Sequence, residues 1–296
     1  MKIGVLPVFR PECITDPDWV VQFVHGVEAS GAESVWAVEH VLVAKDYEPR
    51  YSYSESGRMP GRATMPDPLE WLGFVAAVSE HLVLGTGVMI LPLHDPVVLA
   101  KRVATLDALS RGRVVLGVGS GWQIEEYQAC NVPYDDRGAL LDEHIEVLRD
   151  LWAPGFRSFD GRTVSYLEVE SEPKPARAGG PPIVIGGSTK RAAARAGRVG
   201  DGWFPYVISP DDYAARVETM RTAARDHGRD PDAIELTVFP ASWQPGSSVD
   251  AATVARYAQI GIDRIIVSAQ EAASAAVDDI RRFVDDVRVH VVDRLR

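Results

Sequence analysis

Short apolar runs rich in β-branched residues alternate with longer stretches of helical periodicity along the chain. Strands are predicted at Lys2 to Leu6, Ser34 to Val38, Leu82 to Met89, Val114 to Val118, Pro182 to Ile185, Gly202 to Phe204, Glu235 to Phe239 and Arg264 to Val267. The intervening periodicity predicts helices over Asp18 to Ser30, Pro68 to Ser79, Pro96 to Leu109, Arg137 to Leu151, Lys190 to Arg198, Pro210 to His227, Asp250 to Ile260 and Ala273 to Val291. Eight strand-then-helix units in 296 residues, with no Pro/Gly/Ser-rich linker between halves, favour a closed (β/α)8 TIM barrel, a single domain over residues 1–296, over an open doubly wound sheet.

Two insertions interrupt the alternation. The first, after strand two, runs from Glu39 to Asp67 and carries Tyr47, Arg50, Tyr51, Tyr53, Arg58 and Arg62; a connection that long is expected to be a functional lid or a disordered segment. The second, before strand five, runs from Pro154 to Pro181 and predicts a small hairpin turning at Asp160-Gly161.

In such a barrel the active site lies at the C-terminal ends of the strands, which makes the residues just after each strand the candidate list. Phe9, Glu39, His40, Gly87, Val88, Ile90, Ser120, Gly121, Trp122, Gly186, Gly187, Ser188, Phe204 and Tyr206 fall there. The run Arg-Val-Val-Leu-Gly-Val-Gly-Ser-Gly-Trp from Arg113 to Trp122 reads as a buried strand delivering glycines to a ligand. Its G-x-G-x-G spacing is not the G-x-G-x-x-G of a dinucleotide fold. His40 is a candidate proton donor or acceptor near neutral pH, with a hydrogen-bonded structural histidine as the alternative. Gly186 to Arg191, Gly-Gly-Ser-Thr-Lys-Arg at a helix start, reads either as a phosphate cradle or as a plain helix cap. Glu125 and Glu126, adjacent at a helix start, are expected to act mainly as favourable N-terminal charges.

Composition narrows the partners. A net charge of -11 argues against a general nucleic-acid or anionic-membrane surface. Cys13 and Cys130 form no disulfide framework or zinc pattern, no metal-ligand spacing stands out, and no apolar stretch reaches membrane-spanning length. Without a signal-peptide core after Met1, the expected location is cytoplasmic.

With these residues assembled, the chain resembles the luciferase-like monooxygenase superfamily, in particular its branch that uses the deazaflavin coenzyme F420. The resemblance rests on residues 34–40 (Ser-Val-Trp-Ala-Val-Glu-His), 84–92 (Leu-Gly-Thr-Gly-Val-Met-Ile-Leu-Pro), 96–107, 112–122, 185–188 (Ile-Gly-Gly-Ser) and 200–203 (Gly-Asp-Gly-Trp), in that order. It implies a (β/α)8 barrel, a homodimer, and a cofactor ring beside Glu39, with His40 as the acid/base or substrate-orienting residue. It further implies a non-proline cis peptide at Gly87-Val88 beneath the ring, near Ile90, and a ribityl-phosphate chain held by Ser120, Gly121 and Gly186 to Ser188. Sugar-phosphate dehydrogenases of the superfamily place an acid after the glycine turn where this chain has Trp122. That departure argues against their substrate and leaves Trp122, with Phe9, Phe204 and Tyr206, to wall an apolar pocket. The expected activity is hydride transfer between F420 and a small organic substrate, served by an F420 reductase or other redox partner. The alternatives are a two-component FMN monooxygenase fed by a flavin reductase, and a non-catalytic flavin or F420 carrier.

Overall fold

A computed structural model describes residues 1–48, 50–51, 54, 56–59, 63–240 and 250–293. Tyr53 and Arg62 of the first insertion, and residues 241–248 after strand seven, lie outside the described residues.

The barrel strands are β1 Lys2–Leu6, β2 Ser34–Ala37, β3 Val83–Thr86, β4 Val114–Gly119, β5 Ile183–Gly186, β6 Gly202–Phe204, β7 Glu235–Val238 and β8 Arg264–Ser268. All pair in parallel with their neighbours, and β1 against β8 together with β3 against β4 close the sheet. The helices between them are α1 Pro17–Ala29, α2 Pro68–Val78, α3 Pro96–Leu109, α4 Arg137–Trp152, α5 Lys190–Val199, α6 Pro210–Asp226, α7 Ala251–Ile260 and α8 Val277–Val287. Their starts are written locally: Asp16, Asp67, Asp95 and Ser209 each precede a proline at the first helical position and accept first-turn amides with their side chains. The predicted hairpin forms from Arg157–Asp160 and Ser165–Val169, and Glu143 of α4 tethers its turn through Thr163.

Strand three departs from the expected unbroken run over Leu82 to Met89. It stops at Thr86, passes through a cis Gly87-Val88 peptide, and resumes at Met89–Ile90. Its pairing offset against β4 drops from 30 residues (Leu84 with Val114) to 29 (Met89 with Val118), so one extra residue is looped out as in a β-bulge. The last helix is also shorter than predicted: α8 begins at Val277, and residues 288–292 wind as a π turn.

The barrel interior is filled by side chains rather than open. The indole of Trp36 lies where Gly4 and Gly85 would carry a Cβ, 2.6 and 2.4 Å from its atoms, and Phe204 packs edge-on to it at 5.1 Å. Alternation along β6 turns Trp203 outward onto Tyr213 of α6, at 4.8 Å, and Phe204 inward. Phe204 is fully buried below the cavity floor and does not line the cavity, which corrects the pocket role expected for it. At the opposite, N-terminal end, buried Arg264 is forked onto Glu33 at 2.8 and 2.9 Å and also bonds Glu235. Among the described residues no helix is long and apolar enough to cross a membrane.

Candidate active site

A cavity of about 770 Å³ opens at the C-terminal ends of the strands. Apart from Phe204, all the residues singled out above as site residues line it. The cavity is chemically divided. Toward β1, β2 and the first insertion its wall is largely apolar, with Phe9, Val38, Met59, Ala63 and Met65, beside Arg10 and Arg50. Toward β4, β5 and the starts of α4 and α5 it is glycine, hydroxyl and arginine.

The glycines of β4 serve the bulge of strand three before any ligand. A Cβ on Gly117 would sit 1.9 Å from the Thr86 carbonyl oxygen, and Cβ atoms on Gly119 and Gly186 would sit 2.8 and 2.7 Å from the methyls of Val88. Val88 is thereby seated among glycines and presents its remaining surface to the cavity. Tyr206, expected only as a pocket wall, also donates its hydroxyl to the Gly87 carbonyl and so braces the same segment. Glu39 is 7% exposed and accepts from the Ile90 amide at 2.6 Å and from His94 Nε2 at 2.9 Å. Each of its oxygens is thus already engaged by the protein.

His40 stands at the start of the long insertion and is held from both sides. Its Nδ1 lies 3.0 Å from Oε2 of Glu126, and its Nε2 accepts the indole N–H of Trp122 at 3.3 Å. Glu126 is fully buried; its Oε1 accepts the amides of Val41 at 2.6 Å and Leu42 at 3.3 Å. Gln123 and Glu125, on the same short segment, accept the amides of Ala44 and Glu48. The two acids therefore do more than place charge at a helix N-terminus: they strap the insertion to the loop after β4. Sequence reasoning read Glu126 only as a helix N-terminal charge, and the one signal for its contact with the site was its spacing, four positions or about one helical turn beyond Trp122. Trp122 is the hub of an aromatic cluster, with Tyr47 and Tyr51 of the insertion edge-on at 5.2 and 5.4 Å. Burial, helped by the charges of Glu126 and Glu39, pushes the nearby Cys130 thiol up.

At the other end Thr189 caps α5, its oxygen accepting the Ala192 amide at 3.1 Å, so its own proton points elsewhere and the amides of Lys190 and Arg191 have no intrahelical partner. Ser188, by contrast, donates to the Tyr206 carbonyl at 2.6 Å and ties two loops together, so its proton is not available to a ligand. Five arginines line the cavity: Arg10, Arg50, Arg137, Arg191 and Arg195. Arg10, Arg50 and Arg195 are paired with Glu12, Glu48 and Asp142, whereas Arg137 stacks on Tyr134 at 3.8 Å and, like Arg191, has no carboxylate partner among the described residues. No cluster of three or more His, Cys, Asp or Glu suited to a metal occurs among the described residues.

A closed parallel barrel with one cavity at the C-terminal ends of its strands, lined by a histidine, glycines and a helix start, is the arrangement of an α/β-barrel protein with its candidate site at that face. The chain belongs to the luciferase-like monooxygenase family, whose profile matches residues 1–284. It is 29% identical over 264 residues to an uncharacterized protein of Mycobacterium tuberculosis, covering 87% of this chain and 88% of the relative. It is 29% identical over 265 residues to the phthiodiolone/phenolphthiodiolone dimycocerosates ketoreductase of Mycobacterium sp. (strain JLS), covering 85% of this chain and 68% of the relative. Similar solved structures include the monooxygenase RslO1 of Streptomyces bottropensis (TM-score 0.78, 20% identity, 100% of both chains). An F420-dependent secondary alcohol dehydrogenase with an F420-acetone adduct is also similar (TM-score 0.75, 18% identity, 100% of this chain and 99% of that one). So is the FMN-bound oxygenating constituent of the Pseudomonas putida 3,6-diketocamphane monooxygenase (TM-score 0.61, 16% identity, 80% of this chain and 66% of that one). These likenesses establish the fold, and family membership makes the chain a luciferase-like oxidoreductase or monooxygenase.

Proposed function

We propose that the protein is an oxidoreductase that uses the deazaflavin coenzyme F420 on a small organic substrate, with His40 moving the coupled proton. The observation that carries this reading is the polarity of the cavity. Its apolar wall ends at His40 and Trp122; toward the starts of α4 and α5 it presents Arg137, Arg191 and Arg195 with the first-turn amides of α5, in a chain whose net charge is -11. A single phosphate is satisfied by one or two cationic partners and a helix N-terminus. Three arginines at this end, of which Arg137 and Arg191 have no carboxylate partner among the described residues, match a ligand with several separated negative charges, such as the phosphodiester and carboxylate-bearing tail of F420, better than they match FMN.

The residues present fit such a group. Thr189, Arg191 and the first-turn amides of α5 would hold the phosphate, the backbone from Gly119 to Gly121 the polyol, and the Gly87-Val88 segment the ring. Bound F420 would supply or accept a hydride at its ring carbon. The chain's own work is to exclude water beneath the insertion, to seat an apolar substrate between Phe9, Met65 and Trp122, and to take or give a proton at His40. By analogy with its family, the protein is proposed to act as a cytoplasmic homodimer served by a redox partner that recycles its cofactor. Fluorescence titration of the purified protein with F420 and with FMN tests the reading. Saturable F420 binding with weaker FMN binding is expected. Tight FMN binding with none to F420 would move the protein to the two-component monooxygenases, and binding without turnover on any reduced or oxidised cofactor would make it a carrier.

A further inference from the structure

We propose that Glu126 is the positioning residue of this site: it holds His40 as the neutral Nδ1–H tautomer, so that Nε2 is a proton acceptor turned toward the indole N–H of Trp122. Two contacts on opposite sides of the ring assign the same tautomer. An indole nitrogen can only donate, so the Nε2 that it meets at 3.3 Å carries a lone pair. A carboxylate can only accept, so the Nδ1 that meets Glu126 Oε2 at 3.0 Å carries the proton. A doubly protonated ring would set Nε2–H against Nε1–H, two donors face to face.

Glu126 is not free to adjust. Its other oxygen is committed to the Val41 and Leu42 amides, and its side chain is wholly buried. The two oxygens have separate tasks: Oε1 straps the insertion and Oε2 sets the polarity of the histidine. His40 is therefore built to take a proton before it gives one, and a substrate hydroxyl entering between Nε2 and the indole N–H would meet an acceptor and a donor together.

The inference rests on the proposed function only in reading His40 as the proton-transfer residue; the tautomer itself is a property of the protein alone. Long-range 1H–15N correlation of the full chain without cofactor, with the His40 signals identified by their loss in His40→Asn, should show a protonated Nδ1 and an unprotonated Nε2. In the double variant Glu126→Gln/Trp122→Phe the amide oxygen can keep the Val41 and Leu42 amides while its NH2 group faces Nδ1 and no indole donor meets Nε2, so the tautomer should switch to Nε2–H. In Trp122→Phe, which removes the indole donor and leaves Glu126 in place, the Nδ1–H tautomer should persist. Native His40 protonated at Nε2 near neutral pH, a folded Glu126→Gln/Trp122→Phe with unchanged nitrogen signals, or a switch in Trp122→Phe would each overturn the proposal. Should the double variant fail to fold, the native and Trp122→Phe spectra still decide. Failure to bind F420 would end the F420 reading and leave these spectra as they are.

Discussion

Replacing Gly119 by alanine separates two reasons for a glycine at that position, room for Val88 and room for a ligand. The added Cβ would lie 2.8 Å from Val88 Cγ2 and 3.9 Å from Val88 Cβ, and nothing else comes within 4 Å. The backbone of Gly119 is outside the left-handed region, so alanine is unstrained there and gains about 0.4–1 kcal/mol by restricting the unfolded chain. Crowding a half-buried valine that Gly117 and Gly186 already enclose costs about 1–3 kcal/mol. The net loss expected for Gly119→Ala is about 1–2 kcal/mol. Val88→Ala removes two methyls at partial burial and should cost on the order of 1 kcal/mol. In the double variant the nearest remaining atom of residue 88 is its Cβ, at 3.9 Å, an ordinary contact. The double variant should then be no less stable than Val88→Ala alone, a coupling of about 1–2 kcal/mol. Urea unfolding of the four proteins without cofactor measures the cycle. Additivity within about 0.5 kcal/mol would refute the packing argument. An effect of Gly119→Ala confined to cofactor affinity would show that the glycine serves the ligand.

Three further outcomes follow from the same geometry. Arg264→Met, at the barrel end away from the cavity, leaves Glu33 and Glu235 without their buried cation and should cost about 3–5 kcal/mol in urea unfolding without changing cofactor affinity. Burial alone would raise the Glu33 carboxyl, but its hydrogen bond and charge contact with Arg264 hold it below the usual range. The stability it contributes is present above its unfolded pKa and is lost as pH falls through the folded one, so the variant should be less acid-sensitive than the native chain. Burial pushes Glu271 up to about 7 from an ordinary 4.5, against the opposing bond from the Ser268 amide. The folded state then binds the extra proton, stability falls as pH rises from 4.5 to about 7, and Glu271→Gln should abolish that decline, worth up to about 3 kcal/mol, in melts across the range. Thr189→Val should lower stability by about 1 kcal/mol through the lost cap and weaken F420 binding roughly tenfold; unchanged affinity in the titration would place Thr189 outside the cradle.

The order of elements was legible because each signal is local. Aspartate or serine before proline starts four helices, and apolar runs bounded by polar stretches give strands whose parallel pairing follows from the helices between them. Strand three was misread as continuous because its apolar run continues through Gly87 and Val88; the one-residue change of offset exists only relative to β4. Phe204 was misplaced for a similar reason. Three residues of β6 do not show which of its side chains face the barrel axis, and the choice is made by Trp36, 168 positions earlier, which fills the interior beside it.

The site was legible as a set of positions but not as a set of available atoms. Strand ends predict which residues surround the cavity, and nearly all of those named do so. Whether a side chain still has a donor or acceptor to offer depends on partners distant in sequence: Ile90 and His94 occupy Glu39, Tyr206 occupies the proton of Ser188, and Glu126, 86 residues away, occupies His40 Nδ1. Subtracting those engaged groups changes the chemistry of the pocket. What remains for a ligand is the Thr189 hydroxyl, Arg137, Arg191 and the first-turn amides of α5 at one end, and at the other the Trp122 N–H and His40 Nε2, bonded to each other and open to a ligand that parts them. A ligand that satisfies both ends is anionic where it meets α5 and brings a hydroxyl or carbonyl to His40. Under the proposed function the cofactor and the substrate would divide the cavity between them, the charged portion toward β5 and the reacting oxygen toward β2.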